Sequence, residues 1–108
     1  MDKTLREVCD AFGVSRRAVQ GYEKVGLISM SGKNERGHLL YDEDMQERIR
    51  RIKLFQQMGF SIKEIREIIN ASDDILKRAL ENQVVKLKER KENMEMIIEQ
   101  IYELIETL

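Results

Sequence analysis

Proline is absent from the 108 residues and glycine occurs only 6 times, so little in the chain interrupts a helix. The abundance of Glu, Lys, Arg, Ile and Leu then favours helix over most of the length. A single cysteine excludes an internal disulfide, and one Cys with one His is too small a ligand set for a metal site within one chain. No run approaches the roughly 18 apolar residues of a membrane span. The first residues, MDKTLREVCDAFG, lack the apolar core of a secretion signal, so the expected setting is cytoplasmic, with no membrane association. There is no Gly-rich phosphate loop and no nucleophile, base and orienter in a recognisable pattern. An enzyme, catalytic residues and a bound cofactor are therefore not expected.

A strong charge of one sign is also missing. The net charge of −1 argues against a protein that coats nucleic acid indiscriminately. The balance is uneven, however, with 13 Lys+Arg against 11 Asp+Glu in residues 1–72 and 6 against 9 in residues 73–108. Any anionic partner should meet the first part, and this division sets the expected domains: 1–72 in front and 73–108 as an extension.

What is present begins with a capping box, Thr4-Leu5-Arg6-Glu7. Leu5, Val8, Cys9 and Phe12 follow at i, i+3, i+4 and i+7, the stripe of a buried helix face, and Gly13 suits the left-handed residue that ends it. Cys9 on that stripe reads as packing. Ser15 caps a second helix, with Val14 and Val19 at the two positions of a hydrophobic staple, and two short helices so closely joined have helix-turn-helix spacing. Arg16 and Arg17 stand in the first turn of helix 2, where the helix dipole disfavours cations by roughly 0.3–1 kcal/mol. A phosphate at that spot reverses the sign, because helix N–H groups and two guanidinium groups then converge on one anion.

From Leu27 to Tyr41 the helical period vanishes, and LIS and HLLY read as two strands around the loop SGKNERG, a wing. Its Lys33 and Arg36 either reach a nucleic-acid backbone or are solvated loop charges. Asp42, Glu43 and Asp44 open a third helix whose Met45, Ile49, Ile52 and Phe55 face inward, and Gly59 stops it. Ser61 and Glu64 form a second capping box, with Phe60 and Ile65 as staple, ahead of the apolar face of Ile65, Ile68 and Ile69.

The last segment has no interior glycine and falls into heptads, with Leu80, Leu87, Met94, Ile101 and Leu108 at d and Val84, Lys91, Ile98 and Ile105 at a. Such a helix spans roughly 50 Å at 1.5 Å per residue, too long for the small front domain to cover. Self-association is the expected outcome, with Lys91 snorkelling or selecting register. Met94 and Met96, beside Ile97 and Ile98, read as heptad core in preference to a surface for small apolar compounds.

In this order and spacing, GVSRRAVQGYEKVGL, GHLLY and QMGFSIKEIREII resemble the MerR family of bacterial transcription regulators over residues 4 to about 70, and the terminal helix agrees with that family's antiparallel dimerisation helix. The resemblance implies a mainly α fold: a winged helix-turn-helix, a second helical pair and a long C-terminal antiparallel coiled-coil helix. It implies a homodimer on a pseudo-palindromic operator in double-stranded DNA, with RNA polymerase met through the shared promoter. Carried over, the DNA-binding positions are Ser15, Arg16, Arg17, Gln20 and Tyr22 on helix 2, Lys33, Arg36, His38 and Tyr41 in the wing, and Ser61 and Lys63 beyond. Arg16, Arg17 and Arg36 are expected at phosphates, and Gln20 and Tyr22 nearer the bases.

Three positions depart from the family's pattern. Gln20 and Gly21 stand where an arginine and an aromatic are usual, and Leu39 where an arginine is. Gly21 signals either close approach of DNA or one DNA interaction given up. Because the sequence stops at Leu108, the resemblance implies a fragment or a short regulator without an effector domain, its DNA-bound geometry set by the dimer helix. Promoter distortion is the expected mode of action, with simple steric repression as the alternative. Two other readings compete: a helical adaptor that dimerises and binds protein, and an excisionase-like architectural factor, which the heptad segment disfavours.

Overall fold

The computed structural model describes residues 1–108, in the order β1 (Lys3–Thr4), α1 (Leu5–Phe12), α2 (Arg16–Lys24), β2 (Gly32–Lys33), β3 (Leu39–Tyr41), α3 (Glu43–Gln57), α4 (Ile62–Ile68) and α5 (Asp73–Glu106). They form two compact units, residues 1–69 and 70–108. All the expected helices are present.

Helix starts follow the caps written in the sequence. The Thr4 hydroxyl accepts from the Glu7 amide and the Glu7 carboxylate accepts from the Thr4 amide, which holds that carboxyl below the usual glutamate range. Ser15 accepts from the Ala18 amide at 3.0 Å, Asp42 from the Met45 amide at 2.9 Å, and Ser61 and Glu64 close the second capping box. The staple partners Val14 with Val19 and Phe60 with Ile65 are all buried.

Helix ends are just as local. After α2, Gly26 at φ 80° donates to the Glu23 carbonyl and Leu27 to the Tyr22 carbonyl, the paired bonds of a Schellman motif. After α3 the pattern repeats, with Gly59 at φ 95° bonded to Gln56 and Phe60 bonded to Phe55. The accompanying apolar contact is an edge-to-face pair, Phe55 and Phe60, with centroids 6.0 Å apart. Phe60 therefore ends α3 and staples α4 with one ring. At α1 the Lys53 ammonium donates to the carbonyls of Phe12 and Gly13 at 2.7 and 2.8 Å, closing the helix end with a cation as the dipole prefers.

The wing differs from expectation. Leu27 and Ile28 are buried but form no strand, because the Leu27 amide is committed to the turn that ends α2. The first wing strand lies later, at Gly32–Lys33, paired antiparallel with β3 in the register Gly32 opposite Leu40. A third strand was not foreseen: Lys3–Thr4 pairs with β3, Lys3 opposite Tyr41, giving the sheet order β1-β3-β2. Gln46, buried on α3, ties this junction, its amide donating to the carbonyls of Met1 at 2.8 Å and Tyr41 at 2.9 Å. β3 is thus fixed on both sides, and the wing loop projects from a held base.

The second unit is almost all helix. Its a and d positions line up along α5 with Val84, Leu87, Met94, Ile98, Ile101 and Ile105 exposed, Lys91 exposed and Leu80 half-buried, and Leu108 is exposed just past the helix end.

Candidate nucleic-acid interface

Ser15 fixes where α2 starts and so where the next side chains point. Arg16, Arg17 and Gln20 are all exposed on the first two turns, no acidic residue shares the first turn, and none of the three makes an ion pair. Gly21 is exposed beside them, and beyond the adjoining backbone of its own helix a Cβ placed on it meets nothing within 4 Å. The protein's own packing therefore does not require glycine there.

The wing tip is a tight turn organised by Asn34. Its side-chain oxygen accepts from the amides of Arg36 at 2.9 Å and His38 at 3.0 Å, and its own amide donates to the His38 carbonyl. Lys33, Arg36 and His38 are all exposed around it. Between α1, α2 and the wing lies a cleft of about 540 Å³, lined by Arg16, Gln20 and His38 together with the apolar side chains of Leu5 and Leu39. Arg6 of α1 joins them. In the sequence Arg6 stands only between Thr4 and Glu7 of the capping box; its signal is a first-turn cation opposed by the helix dipole, as at Arg16. Ser61 and Lys63, at the exposed start of α4, do not line this cleft, nor do Lys33 and Arg36.

Two expected positions are corrected by burial. Tyr22 is 3% exposed and its hydroxyl donates to the Gln56 side chain at 2.6 Å, so the ring belongs to the core and not to a base-reading surface. The helical period carried this information, since Tyr22 follows Val19 by three residues and lies on the same face. Tyr41 is 1% exposed with its hydroxyl donating to the Glu23 carboxylate. Burial, then the bond to Glu23 and its charge, push that hydroxyl well above the usual tyrosine range. It anchors β3 to α2 from inside, which places the wing without presenting the ring to an anion. Cys9 is half-buried on α1. No helix is long and apolar enough to cross a membrane.

Comparison with known proteins agrees with this geometry. Residues 3–72 match the family described as MerR HTH family regulatory protein, and residues 46–108 match that described as MerR, DNA binding. The HTH-type transcriptional activator mta of Bacillus subtilis is 30% identical over 101 residues, covering 94% of this chain and 39% of that protein. The chain spans between 33% and 39% of the length of the first three curated relatives it matches. Among solved structures, a MerR-family transcriptional regulator from Bacillus cereus superposes with a TM-score of 0.84 at 26% identity, covering 95% of this chain and 79% of that one. The N-terminal part of the multidrug transporter activator of Bacillus subtilis superposes with a TM-score of 0.81 at 28% identity, covering 95% of this chain and 97% of that one. These are regulators and not enzymes. With its capped second helix, its held wing and both family descriptions matched along its length, the chain belongs to the MerR family of DNA-binding transcriptional regulators.

Proposed function

We propose that the protein binds duplex DNA as a homodimer, on a pseudo-palindromic operator within a promoter, and regulates transcription in the cytoplasm by distorting that DNA. The observation that carries the reading is the face of α2. Arg16, Arg17 and Gln20 stand exposed and without ion pairs on the first turns of a helix whose dipole opposes two of them. An intramolecular role gives no reason for that placement, and a phosphate backbone does. Arg16, Arg17, Lys33, Arg36 and Lys63 hold phosphates, Ser15 positions α2 and Ser61 positions α4, and Gln20 reads a base edge, its amide suited to adenine.

Pairing through α5 is supported by its exposed seam and by the distribution of charge along it. Residues 75–91 carry 6 basic and 2 acidic side chains, whereas residues 92–108 carry 5 glutamates and no base. A parallel pair would set glutamates beside glutamates, while an antiparallel pair sets the acidic half against the basic half. Antiparallel a-to-d layers place Leu87 opposite Ile98 of the second copy, Val84 opposite Ile101 and Lys91 opposite Met94. Lys88 then faces Glu95 at the flank.

A dimer of this kind grips two half-sites at once, and bending or untwisting the DNA between them draws its energy from those interactions. RNA polymerase encounters the altered geometry at the shared promoter. Footprinting on the native promoter tests this, with transcription measured as the spacer between promoter elements is shortened one base pair at a time. Distorted DNA and stimulation confined to the long spacer are expected. An undistorted operator overturns the mechanism in favour of steric repression. The assignment of the arginines has its own test: the Arg16→Ala, Arg17→Ala double variant should flatten the salt dependence of binding by about 0.9 for each phosphate no longer neutralised.

A further inference from the structure

The cleft between α1, α2 and the wing is lined by Arg6, Arg16, Gln20 and His38, with no acidic side chain among its lining residues. These groups come from three separate elements. Arg6 and Arg16 each sit in the first turn of a helix, where the dipole disfavours them, and neither makes an ion pair. Two unpaired cations lining one depression, beside an imidazole and an amide, call for an anion. The lining also includes the apolar Leu5 and Leu39, which a bare inorganic ion would leave uncovered. A deoxyribose-phosphate segment matches both parts, offering an anionic oxygen to the arginines and sugar carbons to the leucines. The other two described clefts differ, since each mixes acidic and basic side chains, Glu43 and Glu47 with Arg50 in one and Asp74 and Glu81 with Lys77 and Arg78 in the other.

We propose that Arg6 is a DNA phosphate ligand contributed by α1, and that the cleft it shares with Arg16 and His38 seats one stretch of DNA backbone between the recognition helix and the wing. The inference rests on the DNA-binding reading above and extends it to a helix outside the recognition elements. Arg6 offers its cation beside Leu39 on β3, whose side chain is neutral, so α1 supplies the charge at a point where the strand does not. The aligned capping box makes this possible: Thr4 and Glu7 bond to each other and leave the side chain between them free of the helix terminus.

The test uses the full chain and a mixed-sequence duplex about three helical turns long, with affinity followed by fluorescence anisotropy across a range of salt. Arg6→Gln should reduce the slope of log affinity against log salt by about 0.9 for each phosphate it would have neutralised, about twice that for a symmetric dimer. Arg6→Lys should restore most of the slope. Thr4 and Glu7 are untouched and the helix dipole opposes the charge removed, so the thermal unfolding midpoint should not fall. If Arg6→Gln keeps the full slope while Arg16→Gln loses it, the role of α1 is overturned and DNA binding stands. If both variants keep the full slope, the DNA-binding reading of this face fails with it.

Discussion

Isoleucine, leucine and valine have opposite fates in the two units of this chain. Every buried hydrophobic residue lies between Val8 and Ile69, and several of them, Val8, Val19, Ile49, Ile52 and Ile65, are 0% exposed. On α5 the same residue types remain open to solvent at many positions, from Leu87 at 43% to Leu104 at 62%. The front unit turns its chain back repeatedly, and each turn is closed by a cap or a Schellman motif that delivers an apolar side chain inward. α5 has no such turn in 34 residues. Apolar content alone does not make a core; closure does. A single helix in water is marginal and an exposed stripe of several hundred square ångströms is rare on a lone protein, so the front unit satisfies this physics within the chain, and the proposed pairing of α5 would satisfy it between chains.

The largest way to break this contrast is to charge the seam. Leu87→Asp places a carboxylate opposite Ile98 in both halves of the antiparallel pair, and a buried unpaired charge costs roughly 3–5 kcal/mol. Sedimentation at micromolar concentration should then find monomer. A dimer that persists contradicts the heptad seam. The front unit should keep its fold in this variant, because its core lies entirely in residues 8–69.

A cavity in the front unit gives the converse. Ile49 is 0% exposed, and Ile49→Ala should destabilise that unit by about 2–5 kcal/mol. Its unfolding midpoint should fall by a similar amount at every protein concentration, whereas stability that resides in α5 pairing rises with concentration by mass action. Denaturant titrations at two concentrations separate the behaviours. A shift that depends on concentration for Ile49→Ala would show that the front unit is not self-sufficient.

A smaller effect sharpens the orientation of the pair. The proposed antiparallel register would set Lys88 beside Glu95 twice by symmetry, and exposed ion pairs contribute about 0.2–1 kcal/mol each. Glu95→Lys should therefore weaken the dimer by about twofold to thirtyfold, and adding Lys88→Glu should recover it. Weakening without recovery in the double variant rejects the register.

How much of this was legible depends on distance along the chain. The caps at Thr4, Ser15, Asp42 and Ser61 and the staples Val14 with Val19 and Phe60 with Ile65 involve residues three to five apart, and the sequence displayed them all. The strand pairing of Lys3–Thr4 with Leu40 and Tyr41 joins residues more than thirty apart and left no local trace. Leu27 and Ile28 looked like a strand because apolar runs suit either a strand or a buried turn, and the helix-ending bonds at Gly26 and Leu27 decided between them. At the interface, the exposure of Arg16, Arg17 and Gln20 followed from helical period. The convergence of Arg6 with Arg16 and His38 needed three elements to be placed at once.

The smallest predicted effect returns to Gly21. An exposed helix-interior glycine costs about 0.5–1 kcal/mol relative to alanine, since it loses more backbone freedom on folding. Nothing in the protein requires that cost here: beyond the adjoining backbone of its own helix, an added Cβ meets no atom within 4 Å. Gly21→Ala should therefore raise the stability of the front unit by about 0.5–1 kcal/mol, read as a higher denaturant midpoint with an unchanged slope. Gly21 adjoins Gln20 on the exposed face of α2, so the same variant measures how near DNA comes. With DNA in van der Waals contact with the bare backbone, the new methyl group weakens binding even as the fold gains stability. With DNA further away, affinity is unchanged, and the glycine is a DNA interaction forgone with no benefit to the fold. The stability gain is expected in both cases, and its absence would mean that α2 is not a regular helix at this position in solution.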